Sequence, residues 1–204
     1  MKRRAPKIPR PRRGRPRAFD ADQALDRAMR VFWQHGYEGA SLPDLTRAMK
    51  INRPSLYAAF GNKESLFRKA LDRYVTRTQI MWNDAMSQPT ARQSVEKLLH
   101  GVLDHAGRGQ IRGCLLVQGA LACGTDAQPI RRELAHRRRE NEILLQGRFR
   151  RAVSEGDLPP NANAPELARF VITLLHGLAV QLSGGATPRN LRPIVDTALR
   201  AFPS

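Results

Sequence analysis

Apolar residues recur at helical spacing through almost the whole chain beyond residue 19. In the first stretch Ala24, Ala28, Val31 and Phe32 fall on one side of a helix that Gly36 can end. The sequence lacks apolar–polar alternation between hairpin turns, so no sheet is predicted. The spacing instead predicts about nine helices, at residues 20–35, 41–49, 53–60, 62–86, 91–105, 114–123, 129–155, 163–183 and 187–199.

Residues that favour helix N-caps precede several of these segments: Asp20, Ser41, Asn52, Thr125–Asp126 and Asn163. The two short helices between residues 41 and 60 are the most informative. Ser41, with Asp44 three positions on, has capping-box spacing, and Asn52 can cap the second helix. A short helix with small and polar outward residues suits the major groove of DNA, and here those residues are Arg53, Ser55, Tyr57 and Ala58.

This segment resembles the helix-turn-helix of the tetracycline-repressor (TetR/AcrR) family of bacterial regulators. The resemblance runs from about Ala21 to Leu66 and is carried by Phe32, Gly36, Tyr37, Ser41, Leu45, Ile51, Ser55, Leu56, Tyr57, Phe60, Lys63, Glu64 and Leu66. Lys50 departs from the pattern, because it occupies the turn where the family often has Gly. The turn is therefore either of a different type or strained by about 1 kcal/mol.

The resemblance implies an all-α fold with an N-terminal three-helix DNA-binding domain and a C-terminal helical domain for ligand binding and dimerisation. The expected divisions are a disordered basic arm at 1–18, the helix-turn-helix domain at 19–65 and the effector and dimer domain at 66–204. The implied function is ligand-responsive transcriptional regulation. A homodimeric repressor would bind a palindromic operator in double-stranded DNA and be released by a small-molecule effector of unknown identity. Activation in place of repression is left open.

The family's DNA contacts map onto Ser41, Arg53, Pro54, Ser55, Tyr57, Ala58 and Lys63. Arg53 can pair with guanine O6 and N7, a contact that discriminates by about 1–3 kcal/mol. Tyr57 can reach a phosphate or a thymine methyl group, or it can simply pack. Lys63 begins a helix and would contact the DNA backbone, helped by the helix dipole.

Charge adds a second DNA-binding feature. The net charge is +17, and residues 1–17 hold nine Lys or Arg, four Pro and no acid. Within this arm Arg13, Arg15 and Arg17 form an Arg-Gly-Arg-Pro-Arg sequence that resembles an AT-hook, which reads narrow A·T-rich minor grooves. A basic arm that adds only non-specific affinity fits equally well, and a basic architectural DNA-coating protein is the alternative for the whole chain.

The predicted C-terminal helices carry no catalytic or metal-binding motif, so neither an enzyme nor a cofactor is expected. The polar residues among apolar neighbours are the candidate effector contacts: Trp82, Cys114, Gln118, Asn141 and His176. His176 can equally be a core residue. Cys114 and Cys123 lie nine residues apart on one predicted helix, on opposite sides, so an intrachain disulfide is not expected. Arg137–Arg139 is predicted to be a solvated face, with an anion site as the alternative.

The last two long helices carry more apolar surface than one packed face needs. A buried central helix explains this surplus as well as a subunit interface does, but the family resemblance favours the interface. Its candidate residues are Phe170, Leu174, Leu178, Val180, Leu191 and Val195. No segment reads as a signal peptide or a membrane span, so a cytoplasmic protein without a membrane partner is expected.

Overall fold

The computed structural model describes residues 19–107, 113–121 and 127–203. Within these ranges the chain forms nine α-helices and no strand, as the spacing predicts. The helices are α1 (Ala21–Gly39), α2 (Leu42–Met49), α3 (Arg53–Phe60), α4 (Lys63–Met86), α5 (Ala91–Gly107), α6 (Leu115–Leu121), α7 (Gln128–Ser154), α8 (Ala164–Ser183) and α9 (Pro188–Ala201).

Side-chain caps fix most of the helix starts. The side chains of Asp20, Ser41, Asn52 and Asn163 each accept a hydrogen bond from a first-turn backbone N–H, as predicted. The start of α7 differs. Its N-cap is Ala127, which makes no side-chain cap, and the predicted cap at 125–126 lies outside the described residues.

Gly36 breaks α1 as predicted, and a short helical segment follows the break. Gly36 has φ 70° and ψ −176°, which breaks the helix, but helical hydrogen bonding resumes and continues to Gly39. A side chain would strain this left-handed φ, so glycine permits the break. The additional turn brings Glu38 close to the start of α4, where its carbonyl oxygen accepts a hydrogen bond from Lys63 Nζ at 3.3 Å.

Two hydrophobic cores divide the molecule, and α4 belongs to both. The first core joins α1–α3 to the first half of α4, and it also includes Leu115 of α6 and Leu134 of α7. The second core joins the end of α4, from Trp82 onward, to α5, the second half of α7, α8 and α9. α4 is therefore a continuous 24-residue helix that connects the core of the short helices α2 and α3 to the second core.

α8 has more apolar character than the sequence prediction assumed. Among the described helices only α8 is long and apolar enough to cross a membrane, with a mean hydropathy of 1.2 in its most apolar window. Its inward side chains pack in the second core: Ala168, Val171, Leu175, Leu178 and Leu182. That packing accounts for only part of the hydropathy, since 39% of this window is buried within the chain.

Candidate nucleic-acid interface and internal cavity

α3 presents a small polar surface on a rigid base. Asn52 Oδ1 accepts a hydrogen bond from the Ser55 backbone N–H at 2.8 Å, which fixes the start of the helix. Leu56 and Phe60 are buried against the first core. The predicted contact residues then fall outside this core: Arg53, Pro54, Tyr57 and Ala58 are exposed and Ser55 is half-buried. Tyr57 is 48% exposed, which excludes simple core packing as the reason for its presence.

The turn between α2 and α3 is left-handed at Lys50, with φ 57° and ψ 42°. Of the two predicted alternatives, the structure has the strained one, at a cost of about 1 kcal/mol. The Lys50 N–H donates to the Arg47 carbonyl at 3.2 Å and the Ile51 N–H to the Thr46 carbonyl at 3.1 Å. These two bonds close the end of α2 and set the angle at which α3 leaves the turn.

Ser41 and Lys63 both have intramolecular partners in this structure. The Ser41 hydroxyl accepts from the Asp44 N–H at 3.2 Å and donates to the Asp44 carboxylate, so it caps α2. The Lys63 ammonium, besides its bond to the Glu38 carbonyl, lies 4.8 Å from the centre of the Tyr37 ring. Burial lowers the pKa of Lys63 below its ordinary value. Contact of either residue with DNA remains a prediction, and the arm residues Arg13, Arg15 and Arg17 lie outside the described residues.

Ion pairs join α1 to α4. Asp26 Oδ1 accepts from Arg73 at 2.7 Å and Asp26 Oδ2 accepts from Arg77 at 2.7 Å, while Arg73 also pairs with Asp22. Burial alone would raise the pKa of Asp26, but the two guanidinium groups hold that pKa below its ordinary value. The orientation of α1 on α4 therefore depends on charge pairing as well as on the apolar core.

A cavity of about 470 Å³ lies between α1, α4, α5, the start of α6, α7 and α8. Four of the five predicted effector contacts line it: Trp82, Cys114, Asn141 and His176. Gln118 is not among the lining residues, although its side chain lies close to Gly113, which is one of them. Proteins bind drug-sized molecules in cavities of this volume, with largely apolar walls and a few polar groups.

Sequence reasoning missed the contribution of α1 to this cavity. Met29, Arg30, Trp33 and Gln34 form part of the wall, although α1 also belongs to the helix-turn-helix unit. Trp33 packs edge-on against Tyr74, with ring centres 4.9 Å apart. The signal in the sequence was Trp33 itself, a large aromatic residue that falls outside the predicted apolar stripe of α1.

The three arginines at 137–139, which were predicted to form a solvated face, lie in different surroundings. Arg137 pairs with Asp72 at 2.7 Å and with Glu133 at 3.1 Å. Arg138 turns inward and donates to the Leu116 carbonyl at 2.6 Å. Only Arg139 is a solvated side chain of the predicted kind.

Three of the six predicted interface residues cannot supply surface to a second chain. Leu178, Leu191 and Val195 are at most 3% exposed, because they fill the second core of their own chain. Phe170 and Val180 are exposed at 39% and 42%, and Leu174 is half-buried. Ile194, which the sequence analysis did not select, is 46% exposed on α9. The candidate interface is thus narrowed to the outward face of α8 and α9.

His176 makes the stability of the fold depend on pH. Burial, and secondarily the charge of Arg138, lowers the pKa of His176 below 6.5. The unfolded chain therefore binds a proton at a pH where the folded chain does not, so stability is lost as the pH falls below about 6.5.

We expect the melting temperature of His176→Gln to fall less than that of the wild type between neutral pH and pH about 5. His35→Gln, a change at an exposed histidine of α1, is the control, and equal acid sensitivity in all three proteins would contradict the assignment.

Two family models and a known relative match most of this chain. The family model for bacterial regulatory proteins of the tetR family matches residues 24–70, and the model for the tetracyclin repressor-like C-terminal domain matches residues 89–192. The HTH-type transcriptional repressor ComR of Escherichia coli K12 is 35% identical over 94% of this chain and 92% of its own length.

Solved structures of TetR-type regulators also resemble this chain over nearly its whole length. A cysteine variant of the TetR family transcriptional regulator CifR, in complex with 26-bp double-strand operator DNA, is 45% identical. It covers 93% of this chain and 100% of its own, with a TM-score of 0.88. A TetR-type regulator from Rhodococcus is 39% identical over 90% of this chain and 99% of its own, with a TM-score of 0.61.

Proposed function

This chain belongs to the tetR family of bacterial regulatory proteins, and from that premise we propose that it represses transcription as a homodimer on a palindromic operator. A small molecule that enters the internal cavity would release it from DNA. The chain is a transcriptional regulator and not an enzyme. It would act in the cytoplasm, where bacterial operator DNA lies.

The outward face of α3 carries this proposal. Arg53, Tyr57 and Ala58 are exposed on a helix whose inner residues are fixed in the core. The operator-bound relative is similar over nearly the whole chain, which supports the same use of this face here. Arg53 would read a guanine, Tyr57 a phosphate or a thymine methyl group, and the short side chains at 55 and 58 would allow close approach to the groove.

A footprint on the DNA beside the protein's own gene tests the function. Two identical recognition helices on one face of the duplex must enter successive major grooves, so we expect two inverted half-sites about 34 Å apart or slightly more. Uniform protection without half-sites would instead favour a basic architectural protein that coats DNA.

Dimerisation has a test of its own. Phe170→Glu together with Val180→Glu places charges in the proposed interface, where desolvating them is costly. We expect light scattering to give the mass of a monomer at micromolar concentration, and operator affinity to fall by at least about a hundredfold, because one subunit reaches only one half-site. Ile80→Glu is the control, since Ile80 is 76% exposed on α4 and is not part of the proposed interface. If the double variant remained a dimer, the outward face of α8 and α9 would not be the dimer interface.

A further inference from the structure

Among the described residues, the charged side chains that line the cavity are two arginines; both are exposed, and one of them, Arg77, is paired with Asp26 of α1. Arg30 and Arg77 line it, and in the described part of the chain no Asp or Glu does so. Arg138 lies behind the wall formed by Leu116, which accepts a hydrogen bond from its guanidinium. Between residues 19 and 203, leaving out the two undescribed loops, neither Arg30 nor Arg138 has an ion pair.

The cavity also contains a hydrogen-bond donor without an acceptor. Trp33 is 6% exposed, and its indole N–H has no partner among the described residues. Trp33 lies one helical turn after Arg30, so both side chains are on the same side of α1. The phenol of Tyr74, by contrast, donates to Cys114 Sγ at 3.3 Å. A buried donor without an acceptor is destabilising, and a ligand oxygen would remove that cost once the Trp33 side chain turns its buried N–H toward the cavity.

We propose that the effector is an apolar molecule with a single anionic head, a carboxylate or a sulfonate. The head binds beside Arg30, Arg77 and the indole N–H of Trp33, where α1 meets α4. The apolar body extends along the walls formed by Trp82, Ile172 and Leu175. Guanidinium groups and an N–H donor form the complement of such an anion, and the apolar walls exclude water from its body.

The same placement gives the ligand a way to affect DNA binding. Arg77 pairs with Asp26 of α1 at 2.7 Å, so an anion that draws Arg77 into the cavity weakens one of the ion pairs that join α1 to α4. α1 packs on α2, and α2 packs on α3, so we expect a movement of α1 to change the position of α3. This consequence rests on the proposed function, whereas the identity of the ligand class does not.

Two fluorescent probes of the same shape test the ligand class. Anilinonaphthalene sulfonate has an apolar body and one anionic group, and phenylnaphthylamine has the same body without the charge. The chain has two tryptophans, Trp33 and Trp82, and both line the cavity, so energy transfer from tryptophan to probe reports occupancy. We expect the sulfonate to bind at least about tenfold more tightly than the neutral amine.

The variant Arg30→Gln tests whether the anionic head binds beside Arg30. It should weaken sulfonate binding by about tenfold and leave binding of the neutral probe unchanged. Arg139→Gln, an equal charge change on the solvated face of α7, should alter neither. Equal affinity for the two probes, or full sulfonate affinity in Arg30→Gln, would overturn the inference. Operator titration of the same variants without probe reports separately on the proposed function, so the two can fail independently.

Discussion

Replacing Arg53 by Ala is expected to abolish the distinction between operator and random DNA while leaving a folded dimer. Arg53 is exposed at the first position of α3 and contributes nothing to the core, so its loss should not affect folding. A bidentate contact to guanine discriminates by about 1–3 kcal/mol, and a dimer makes it twice. The combined loss of about 2–6 kcal/mol corresponds to a fall in operator affinity of roughly 30-fold to more than 10⁴-fold.

Controls separate base reading from simple charge loss. Arg139→Ala removes the same charge from an exposed position on α7 and should change operator and random-DNA affinity by the same small factor. Tyr57→Ala should act as Arg53→Ala does. Lys63→Ala should weaken binding to all sequences alike, since a phosphate contact carries no base information. If Arg53→Ala retained full discrimination, α3 would not be the reading helix in the way proposed.

The helices and their starts could be predicted from the sequence because both depend on neighbouring residues. A cap such as Asn52 and an apolar spacing such as Leu56 to Phe60 act within one or two turns. α7 begins at Gln128, within one residue of its predicted start, although Ala127 supplies no side-chain cap and the cap predicted at 125–126 lies outside the described residues.

The site was less predictable where it depends on distant parts of the chain. Cavity residues on four segments were selected as polar groups among apolar neighbours, and the fold brings Trp82, Cys114, Asn141 and His176 together. Trp33 was not selected in this way, because the similarity placed α1 in the DNA-binding unit alone. The hydropathy of α8 and α9 likewise could not separate side chains that fill their own core, such as Leu178, from those on the outside, such as Val180.

Removal of residues 1–17 is expected to lower DNA affinity strongly and to flatten its salt dependence, while the fold remains intact. The arm supplies nine of the 35 Lys and Arg residues and almost no apolar side chains. Each neutralised phosphate adds about 0.9 to the slope of log K against log salt. Three or four contacts per subunit would therefore remove about 5 to 7 from the slope of the dimer.

A second variant and a second flank separate the two interpretations of the arm. A full-length chain with the nine Lys and Arg of residues 1–17 changed to Gln keeps the length and loses the charge, so it should match the truncation in slope. If Arg13, Arg15 and Arg17 enter the minor groove, both variants should also lose a preference for A·T-rich flanks that the wild type shows. A purely electrostatic arm would leave flank preference unchanged and alter only the slope. Equal slopes for all three proteins would mean that the arm does not touch DNA, and specific binding would then depend on α3 and its neighbours alone.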